Sequence, residues 1–380
     1  MIYLDSGATT LEKPPAVARA MARAVGEMSS PGRGNYPASS RAARVAYNCR
    51  EAAAALFHVP APEQVIFTSN ATHGLNIAIR SLVRPGGRVA MSGYEHNAVT
   101  RVLHSIPGVE IVVVDAPLFQ PEQMLEGFRM ALGRGVDAVL CNHVSNVFGC
   151  VQPVEEIGAM CRRNNTPFLV DASQSAGILP VSLEDWGAAF IAMPGHKGLY
   201  GPQGTGLLLC AQEAKPMLFG GTGSASRLQT MPPDLPDRLE AGTHNMPGIA
   251  GLLEGIRFVS HVGPERIARW ERRLTRRAEE GLMCLPGVEV FSDKTGNHQT
   301  GVLSFRVKGR DCEQIGEELA LRQIAVRAGL HCAPLAHRTA GTLETGTIRI
   351  SPSVFNTERQ VDLFLREMEG ILREKTEKTI

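Results

Sequence analysis

A lysine at the end of an apolar run is the residue of this sequence with the clearest chemical use. Lys197 lies in Pro194-Gly195-His196-Lys197-Gly198, shortly after the strand-like run Phe190-Ile191-Ala192. Burial removes water from an ammonium group, so it lowers the pKa of a lysine and favours the neutral amine that forms Schiff bases. A surface lysine in a turn is the ordinary alternative for a motif that stands alone.

A carboxylate and a histidine follow other runs of the same kind. Asp171 comes directly after Phe168-Leu169-Val170, where it could pair with a protonated pyridine nitrogen and keep a pyridoxal ring electron-withdrawing. His96 follows Arg88-Val89-Ala90-Met91 after a short polar turn, and its imidazole could stack on a flat ring and move protons. Helix capping by Asp171 and a purely structural role for His96 are the alternatives.

A polar loop precedes the first helical pattern of this region. Thr68-Ser69-Asn70-Ala71-Thr72 leads from a strand-like run into the helical pattern of residues 75–82. Its hydroxyls and backbone amides, including those of Ala71 and Thr72, would stand at a helix N-terminus, which favours phosphate binding. Capping of the helix accounts for the same residues without a ligand.

The chain has eight cysteines without a CxxC pair, which excludes a disulfide framework and a zinc ribbon. Most of them lie in apolar stretches typical of buried thiols, whereas Cys332 lies in a loop marked by Gly329 and Pro334. A metal site made of His331, Cys332 and His337 would lack further clustered ligands, so we predict no bound metal.

One arginine of the C-terminal part is a candidate substrate ligand. Arg349 lies in the strand-like run Thr347-Ile348-Arg349-Ile350. Its guanidinium fork suits the α-carboxylate of an amino acid, although an arginine on the surface of a strand is the commoner case.

Seven strand-like runs alternate with helical or loop segments between residues 64 and 210. This alternation predicts an α/β fold with a mostly parallel seven-stranded sheet and helices on both faces. Ligands of open α/β sheets bind beyond the carboxyl ends of the strands, so the polar residues that follow the runs should meet at one site. The runs are residues 65–67, 88–91, 110–114, 138–140, 168–170, 190–192 and 206–209.

The remaining sequence predicts a second, smaller α+β domain. We therefore predict a large domain at residues 16–250 and a small domain at residues 1–15 and 251–380. A chain of 380 residues is long enough for two such domains. The predicted elements of the small domain are a helix at 264–281, strands at 300–307, 324–327 and 347–350, and a final helix at 358–375.

Composition excludes several classes of function. Lys and Arg number 39 against 38 Asp and Glu, a formal charge of +1 that offers no field for nucleic acid. No apolar run approaches the roughly 18 to 20 residues that span a bilayer, so we expect no membrane association. The start, Met1-Ile2-Tyr3-Leu4-Asp5, is unlike a signal peptide, and we expect a cytoplasmic protein.

Several stretches together resemble the cysteine desulfurase and selenocysteine lyase family. The members of this family are pyridoxal 5'-phosphate (PLP) enzymes of the class V aminotransferase type and have fold type I. The resemblance extends from Tyr3-Leu4-Asp5 to the last helix, with the stretches in family order. These stretches are Asp171 with Gln174, Gly195-His196-Lys197, Arg238-Leu239-Glu240-Ala241-Gly242-Thr243, Arg327-Ala328-Gly329-Leu330-His331-Cys332, and Arg349 through Asn356-Thr357.

The resemblance implies a role for each candidate residue in cofactor binding. Lys197 would bind PLP covalently, Asp171 would pair with the pyridine nitrogen, and Gln174 would neighbour the ring hydroxyl. His96 would cover the ring face. The phosphate would be held by Thr72, Ala71 and His196.

The same resemblance implies how a substrate and a second subunit would contribute. Asn146 would lie beside cofactor and substrate, Arg349 would bind the substrate, and Cys332 would attack the substrate sulfur. The family is dimeric, and Thr243 resembles the residue that reaches the phosphate of the other subunit. A homodimer is therefore implied, and one chain alone would have an incomplete site.

The implied activity is conversion of L-cysteine to L-alanine, with a persulfide on Cys332 for transfer to a possible sulfur-acceptor protein. A selenocysteine lyase with the same site is the alternative. A non-catalytic scaffold subunit is disfavoured because Lys197, Asp171 and Cys332 are all present. The short loop around Cys332 resembles the type II branch, whereas residues 32–37 resemble its substrate-entry segment only in part.

Overall fold

The computed structural model of the chain describes residues 1–32 and 34–376. Arg33, within the segment at 32–37 that partly resembles the type II branch, lies outside the described residues. The same holds for residues 377–380, the end of the predicted small domain.

Strands and helices alternate strictly from residue 65 to residue 194, and the other elements follow one another less regularly. The strands are β1 (Ile2–Tyr3), β2 (Val65–Thr68), β3 (Arg88–Ser92), β4 (Glu110–Val114), β5 (Ala138–Asn142), β6 (Phe168–Asp171), β7 (Phe190–Pro194), β8 (Gly206–Cys210), β9 (Val288–Phe291), β10 (Leu303–Val307), β11 (Ile324–Ala325), β12 (Arg327–Gly329) and β13 (Thr347–Ile350). The helices are α1 (Pro15–Glu27), α2 (Pro37–Leu56), α3 (Ala71–Leu82), α4 (Asn97–His104), α5 (Pro121–Gly133), α6 (Val154–Arg163), α7 (Leu183–Trp186), α8 (Met246–Val262), α9 (Pro264–Met283), α10 (Cys312–Leu321), α11 (Pro334–Thr339) and α12 (Glu358–Thr376), with a 3-10 turn at Pro62–Gln64.

The large sheet has the strand order β2-β8-β7-β6-β5-β3-β4. Neighbours from β7 to β4 are parallel, and β8 is antiparallel to both β7 and β2. The prediction of a mostly parallel seven-stranded sheet is confirmed. Because six strands run in one direction, the carboxyl ends of β2, β3, β5, β6 and β7 lie at the same edge.

Helices cover both faces of this sheet, so its central strands are buried along their whole length. Every residue of β5, β6 and β7 is buried. One core lies between the sheet and helices α2, α5, α6 and α8. The other core lies on the opposite face, against α3 and α4.

The small domain has an antiparallel sheet of order β12-β13-β10-β9. Its core joins Leu4 to Leu274 of α9, Phe305 of β10 and Phe364 of α12, each at most 1% exposed. β1 pairs in parallel with β11, which attaches the first residues of the chain to this domain.

Two strands of the small domain differ from the prediction. The predicted strand at 324–327 is split, because β11 pairs with β1 whereas β12 pairs with β13 in another sheet. The chain changes sheets at Val326. Strand β9 was not predicted, and it is a half-buried edge strand that pairs only with β10 among the described residues.

The predicted domain boundary after residue 250 falls inside α8. Met246, Ile249, Leu252 and Ile256 of this helix all pack in the core of the large domain. We therefore propose that the boundary lies at Gly263, between α8 and α9. The φ of +89° at Gly263 is a backbone conformation that glycine adopts without strain.

A buried ion pair holds the segment before α8, which is residues 211–245, against the edge of the large sheet. Glu240 Oε1 accepts a hydrogen bond from the Phe67 amide of edge strand β2 (2.6 Å). Its Oε2 accepts from Arg50 Nη2 and lies near His244 Nε2, both at 2.6 Å. Although burial opposes ionisation, Arg50 and His244 hold the pKa of Glu240 below its usual value. Glu240 thus positions the turn that carries Thr243.

We expect Glu240→Ala to lower the free energy of unfolding by about 3–5 kcal/mol, because Arg50 would stay buried without its partner. Urea unfolding followed by circular dichroism measures this. Glu213→Ala is the matched control, since Glu213 also pairs with an arginine, Arg238, at 2.7 Å but is 78% exposed. Its loss should stay within about 1 kcal/mol. Equal losses in the two variants would contradict the anchoring role.

Candidate active site

A cavity of ≈ 120 Å³ lies beyond the carboxyl ends of the large-domain strands. The strand ends therefore bring together side chains that are far apart in the sequence, as the alternating pattern predicts. The lining residues are Asn70, Ala71, Thr72, His96, Ala98, Asn142, Val144, Asn146, Asp171, Ser173, Gln174, Pro194, His196 and Lys197.

Lys197 reaches the cavity from a tight turn after β7. A Cβ on Gly195 would come within 2.2 Å of Thr205 Oγ1, so this turn requires a glycine there. Burial lowers the pKa of Lys197 to about 8; the charge of Asp171 opposes this shift, and that of Arg349 adds to it. A large fraction of the lysine is therefore a neutral amine near pH 8.

Asp171 ends β6 and is backed by a second acid. Its Oδ1 accepts from the Ser173 amide (2.9 Å). Glu95, 1% exposed, accepts from Ser92 Oγ and from the Asn142 amide, both at 2.6 Å. Burial, reinforced by the charge of Asp171, raises the pKa of Glu95 to about 8. Glu95 therefore keeps its proton at neutral pH and adds no second negative charge beside Asp171.

The N-terminus of α3 opens into the same cavity. Asn70 caps this helix by accepting from the His73 amide (2.9 Å), so Ala71 and Thr72 form its first turn beside the lining. His196 faces them, with Nδ1 3.0 Å from Thr9 Oγ1. Burial, then the charge of Lys197, lowers the pKa of His196 to about 4, so the ring is neutral.

His96 is held in one orientation by α4. Its Nδ1 accepts from the Ala98 amide at 3.0 Å, which leaves the proton of the neutral ring on Nε2. Burial lowers the pKa of His96 to about 4, against the charge of Asp171 and with that of Lys197. His96 is thus a neutral hydrogen-bond donor in the cavity wall.

Arg349 is 1% exposed, so the alternative of a surface arginine is excluded. Its Nη2 donates to Asp5 Oδ1 (2.6 Å) and its Nη1 to the Asn146 carbonyl (2.7 Å). Asn146 Nδ2 in turn donates to the His331 carbonyl at 2.8 Å. Arg349 Nε and Asn146 Oδ1 are both buried without a hydrogen-bond partner. A buried donor and a buried acceptor without partners indicate a place for a polar ligand.

Cys332 lies at the mouth of the site. It is exposed, and together with Thr72 and His96 it lines an open cavity of ≈ 370 Å³ beside the first one. Arg327 Nη2 lies 3.6 Å from Cys332 Sγ, and the Asn97 amide donates to the Cys332 carbonyl at 2.8 Å. Six of the other seven cysteines are buried, and Cys284 at the end of α9 is exposed.

Of the two remaining residues that are predicted to bind the cofactor, one lines the cavity and the other does not. Gln174 is buried, lines the cavity and donates from Nε2 to the Gly7 carbonyl (2.9 Å). Thr243 is exposed and does not line the cavity of its own chain. Its role toward another subunit stays a prediction.

Sequence reasoning did not single out Asp5, Arg327 or Glu95 as site residues. Arg327 and Arg349 face each other directly across the β12–β13 pair, which became visible only with the strand register. The signal for Glu95 was an acid next to His96 in the polar turn that follows the strand-like run of residues 88–91. For Asp5 it was the place of Tyr3-Leu4-Asp5 at the start of the family resemblance.

Two negative findings concern residues 1–32 and 34–376. In these ranges, His, Cys, Asp and Glu side chains form no group of three or more that could hold a metal ion. Across the same residues, every helix is too short or too polar to cross a bilayer.

Comparison with known proteins agrees with this geometry. The family model of the class V aminotransferases matches residues 2–364. The chain belongs to this family. A protein of Methanothermobacter thermautotrophicus named probable cysteine desulfurase is 33% identical to it, over 97% of this chain and 94% of the relative. A protein of Pyrococcus abyssi with the same name is 29% identical, over 98% and 94% of the two chains.

Solved structures within the class V aminotransferases superpose on nearly the whole chain. The cysteine desulfurase of Thermococcus onnurineus has a TM-score of 0.90 at 30% identity, covering 98% of this chain and 95% of its own. The cysteine desulfurase CsdA of Escherichia coli has a TM-score of 0.83 at 26% identity, covering 98% and 94%. The predicted fold class and family are confirmed.

Proposed function

We propose that this class V aminotransferase is a cysteine desulfurase, which converts L-cysteine to L-alanine and leaves the sulfur as a persulfide on Cys332. The observation that carries the proposal is one continuous site with two reactive groups. The half-buried Lys197 amine lies inside it and an exposed thiol, Cys332, lies at its mouth, with His96 lining both cavities. The names of the relatives agree with this activity.

The residues of the cavity fit PLP as the cofactor. The Asp171 carboxylate suits a protonated pyridine nitrogen, because neighbouring Glu95 is uncharged and does not compete for that proton. The first turn of α3, a helix of 12 residues, suits the phosphate. Lys197 would hold the cofactor covalently, and the other contacts would come from Gln174, Ala71, Thr72, His196, His96 and Asn146.

Bound PLP supplies an electron-withdrawing ring that weakens the Cα–H bond of an attached amino acid. Lys197 acts as the base that takes this α-proton, since its lowered pKa makes the free amine available near pH 8. His96, with a proton on Nε2, is placed to donate or return a proton at the cavity wall.

Cys332 takes over the substrate sulfur. Its sulfur attacks the sulfur of cysteine, so that an S–S bond forms and the substrate Cβ–S bond breaks. The electron pair of the broken bond stays with the substrate carbon, which gains a proton and leaves as alanine. Cysteine and the Cys332 thiol thus give alanine and a Cys332 persulfide. Because Cys332 is exposed, an acceptor thiol of another protein can approach it.

The charge of the site suits an amino-acid carboxylate. Arg327 and Arg349 stand side by side on β12 and β13, and among the described residues only Arg349 has an acidic partner, Asp5. The positive charge of Arg327, which has no acidic partner among the described residues, and the unpaired Arg349 Nε favour binding of an anion at this point. The unpaired Oδ1 of Asn146 favours a ligand group that donates a hydrogen bond to it. Arg349 and Asn146 are therefore our proposed substrate ligands.

We propose that two chains form a homodimer through the segment before α8. Met217, Leu218, Phe219 and Leu228 are 41–77% exposed in this segment, which is unusual for four large apolar side chains within twelve residues of sequence. The Gly242 amide bonds the Gly221 carbonyl at 2.9 Å, so Thr243 lies close to this surface. In the dimer, Thr243 would complete the phosphate site of the partner subunit.

We expect Lys197→Ala to abolish turnover of cysteine while the chain still folds and binds PLP non-covalently. The measurement is borohydride reduction followed by mass spectrometry, which fixes PLP to the wild-type chain but not to the variant. Lys215→Ala, which removes an exposed lysine, is the control and should behave as wild type. PLP fixed to another lysine of the Lys197→Ala chain would overturn the assignment.

We expect Cys332→Ala to eliminate sulfur release from cysteine and to spare much of any activity on selenocysteine. A free thiol with a pKa near 8.5 is mostly protonated at neutral pH, whereas a selenol is ionised and leaves more readily. Turnover of both substrates is measured by alanine formation, with Cys284→Ala as the control at the other exposed cysteine. Unchanged cysteine turnover would remove Cys332 as nucleophile, and a wild-type chain that uses only selenocysteine would make the protein a selenocysteine lyase.

We expect Phe219→Asp to weaken the dimer on the order of tenfold or more, since a buried aromatic anchor would become a charge. Sedimentation velocity over a concentration series measures the dissociation constant. Leu321→Asp is the matched control, because Leu321 is 84% exposed on α10 of the small domain. A wild-type chain that sediments as a monomer would contradict the dimer, and equal weakening by both variants would place the interface elsewhere.

A further inference from the structure

Behind Cys332 lies a chain of buried hydrogen bonds that the proposed reaction does not use. His331 Nε2 lies 3.3 Å from the Arg327 carbonyl, and His331 Nδ1 lies 3.4 Å from His337 Nε2. His337 Nδ1 lies 2.7 Å from Thr342 Oγ1. His331, His337 and Thr342 are 4%, 0% and 1% exposed. Water therefore does not compete for these groups.

The Arg327 carbonyl at one end of this hydrogen-bond chain determines which atom donates in each bond. A carbonyl oxygen only accepts, so His331 Nε2 carries a proton and donates to Arg327. A neutral imidazole has one donor and one acceptor, so His331 Nδ1 accepts from His337 Nε2–H. His337 Nδ1 then accepts from the Thr342 hydroxyl. The ring planes are 13° apart, which suits a head-to-tail contact of the two imidazoles.

In this arrangement each ring is neutral and carries one N–H proton. Burial lowers the pKa of His337 to about 4. Burial, then the charge of Arg349, lowers the pKa of His331 well below its usual value. A proton added to His331 Nδ1 would face the His337 N–H and break the contact.

The hydrogen-bond chain ends at an unusual piece of backbone. His331 and Cys332 have φ values of +53° and +55°, a left-handed conformation that non-glycine residues rarely adopt. Two consecutive residues of this kind need support from their surroundings. The His331 carbonyl accepts from Asn146 and the Cys332 carbonyl from the Asn97 amide, both at 2.8 Å. The side chain of His331 supplies the third point of support, from inside the small domain.

We propose that His331 and His337 are positioning residues, whose directed hydrogen bonds hold the backbone at Cys332 in the left-handed conformation that aims its thiol at the substrate. The pair acts through Cys332, and neither histidine lines the two cavities of the site. The inference rests on the proposed function for its kinetic consequence only. The conformation of the loop can be tested without any turnover.

Three variants separate a directed hydrogen bond from simple packing. His337→Leu fills the space but removes the donor to His331. His337→Gln keeps an N–H near the position of Nε2. Thr342→Val removes the hydroxyl at nearly constant shape, and His261→Gln, at an exposed histidine of α8, is the control.

The first measurement is hydrogen–deuterium exchange of the peptide that contains residues 329–333. We expect exchange in His337→Leu to be faster by about tenfold or more, because the loop opens locally. His337→Gln and His261→Gln should exchange like wild type. Thr342→Val should lie between His337→Leu and wild type, since His337 loses the bond that fixes its tautomer.

The second measurement is the rate of persulfide formation on Cys332 in a single turnover. We expect a fall of about 10- to 100-fold in His337→Leu, because a misplaced nucleophile loses orientation. The steady-state KM for cysteine should change much less than this rate, since Arg349 keeps its bonds to Asp5 and to the Asn146 carbonyl. His337→Gln should recover most of the rate.

Wild-type exchange and persulfide rates in His337→Leu would overturn the proposal, as would a His337→Gln defect equal to that of His337→Leu. If His337→Leu does not fold, Thr342→Val decides, and wild-type behaviour of that variant counts against the proposal. A wild-type chain that forms no alanine from cysteine would refute the proposed function, while the exchange comparison would still decide on the role of the histidines.

Discussion

Burial of the Lys197 amine at the end of a central strand is the constraint on which the rest of the site depends. An ammonium group there loses its hydration, and Arg349 and Arg327 add positive charge while Asp171 offsets part of it. The neutral amine that results is chemically useful only if an acid nearby stays ionised. Burial and the charge of Asp171 keep the proton on Glu95, so Asp171 has no second carboxylate charge beside it.

The site also depends on contacts between the first residues of the chain, the large domain and the small domain. Arg349 of β13 reaches Asp5 near the N-terminus and the Asn146 carbonyl after β5. Because this guanidinium is buried, its hydrogen bonds fix the relative position of all three segments. The small domain therefore supplies groups that the strand ends of the large domain lack: Arg349, Arg327 and Cys332.

Cys332 combines exposure with a defined backbone, which a persulfide carrier needs. A thiol deep in the cavity could not pass its sulfur to another protein, and one on an unrestrained loop would seldom face the substrate. The left-handed residues His331 and Cys332 turn the thiol toward Arg327 and the cavity mouth. Their conformation is supported on both sides, by Asn146 and Asn97 of the large domain and by His337 of the small domain.

The amino-acid sequence by itself determined the large sheet and the candidates at its edge. Each strand of that sheet contains a short apolar run, because helices cover most of the sheet on both faces, and neighbouring residues alone show such a run. The places of Lys197, Asp171, His96 and Thr72 follow, since each comes shortly after the carboxyl end of a strand. The resemblance to a family added Asn146 and Gln174 and gave Arg349 and Cys332 their roles, which periodicity could not do.

Only the tertiary structure decided which of these groups are charged and what they contact. Asp5 and Arg349 are 344 positions apart in the chain, and no local pattern links them. Burial of Glu95 and the shared sheet position of Arg327 and Arg349 arise from packing between elements. The split of the predicted strand at 324–327 has the same cause, because its two halves bond to different sheets. Hydrogen bonds and desolvation depend on distance in space, whereas a sequence pattern records only distance along the chain.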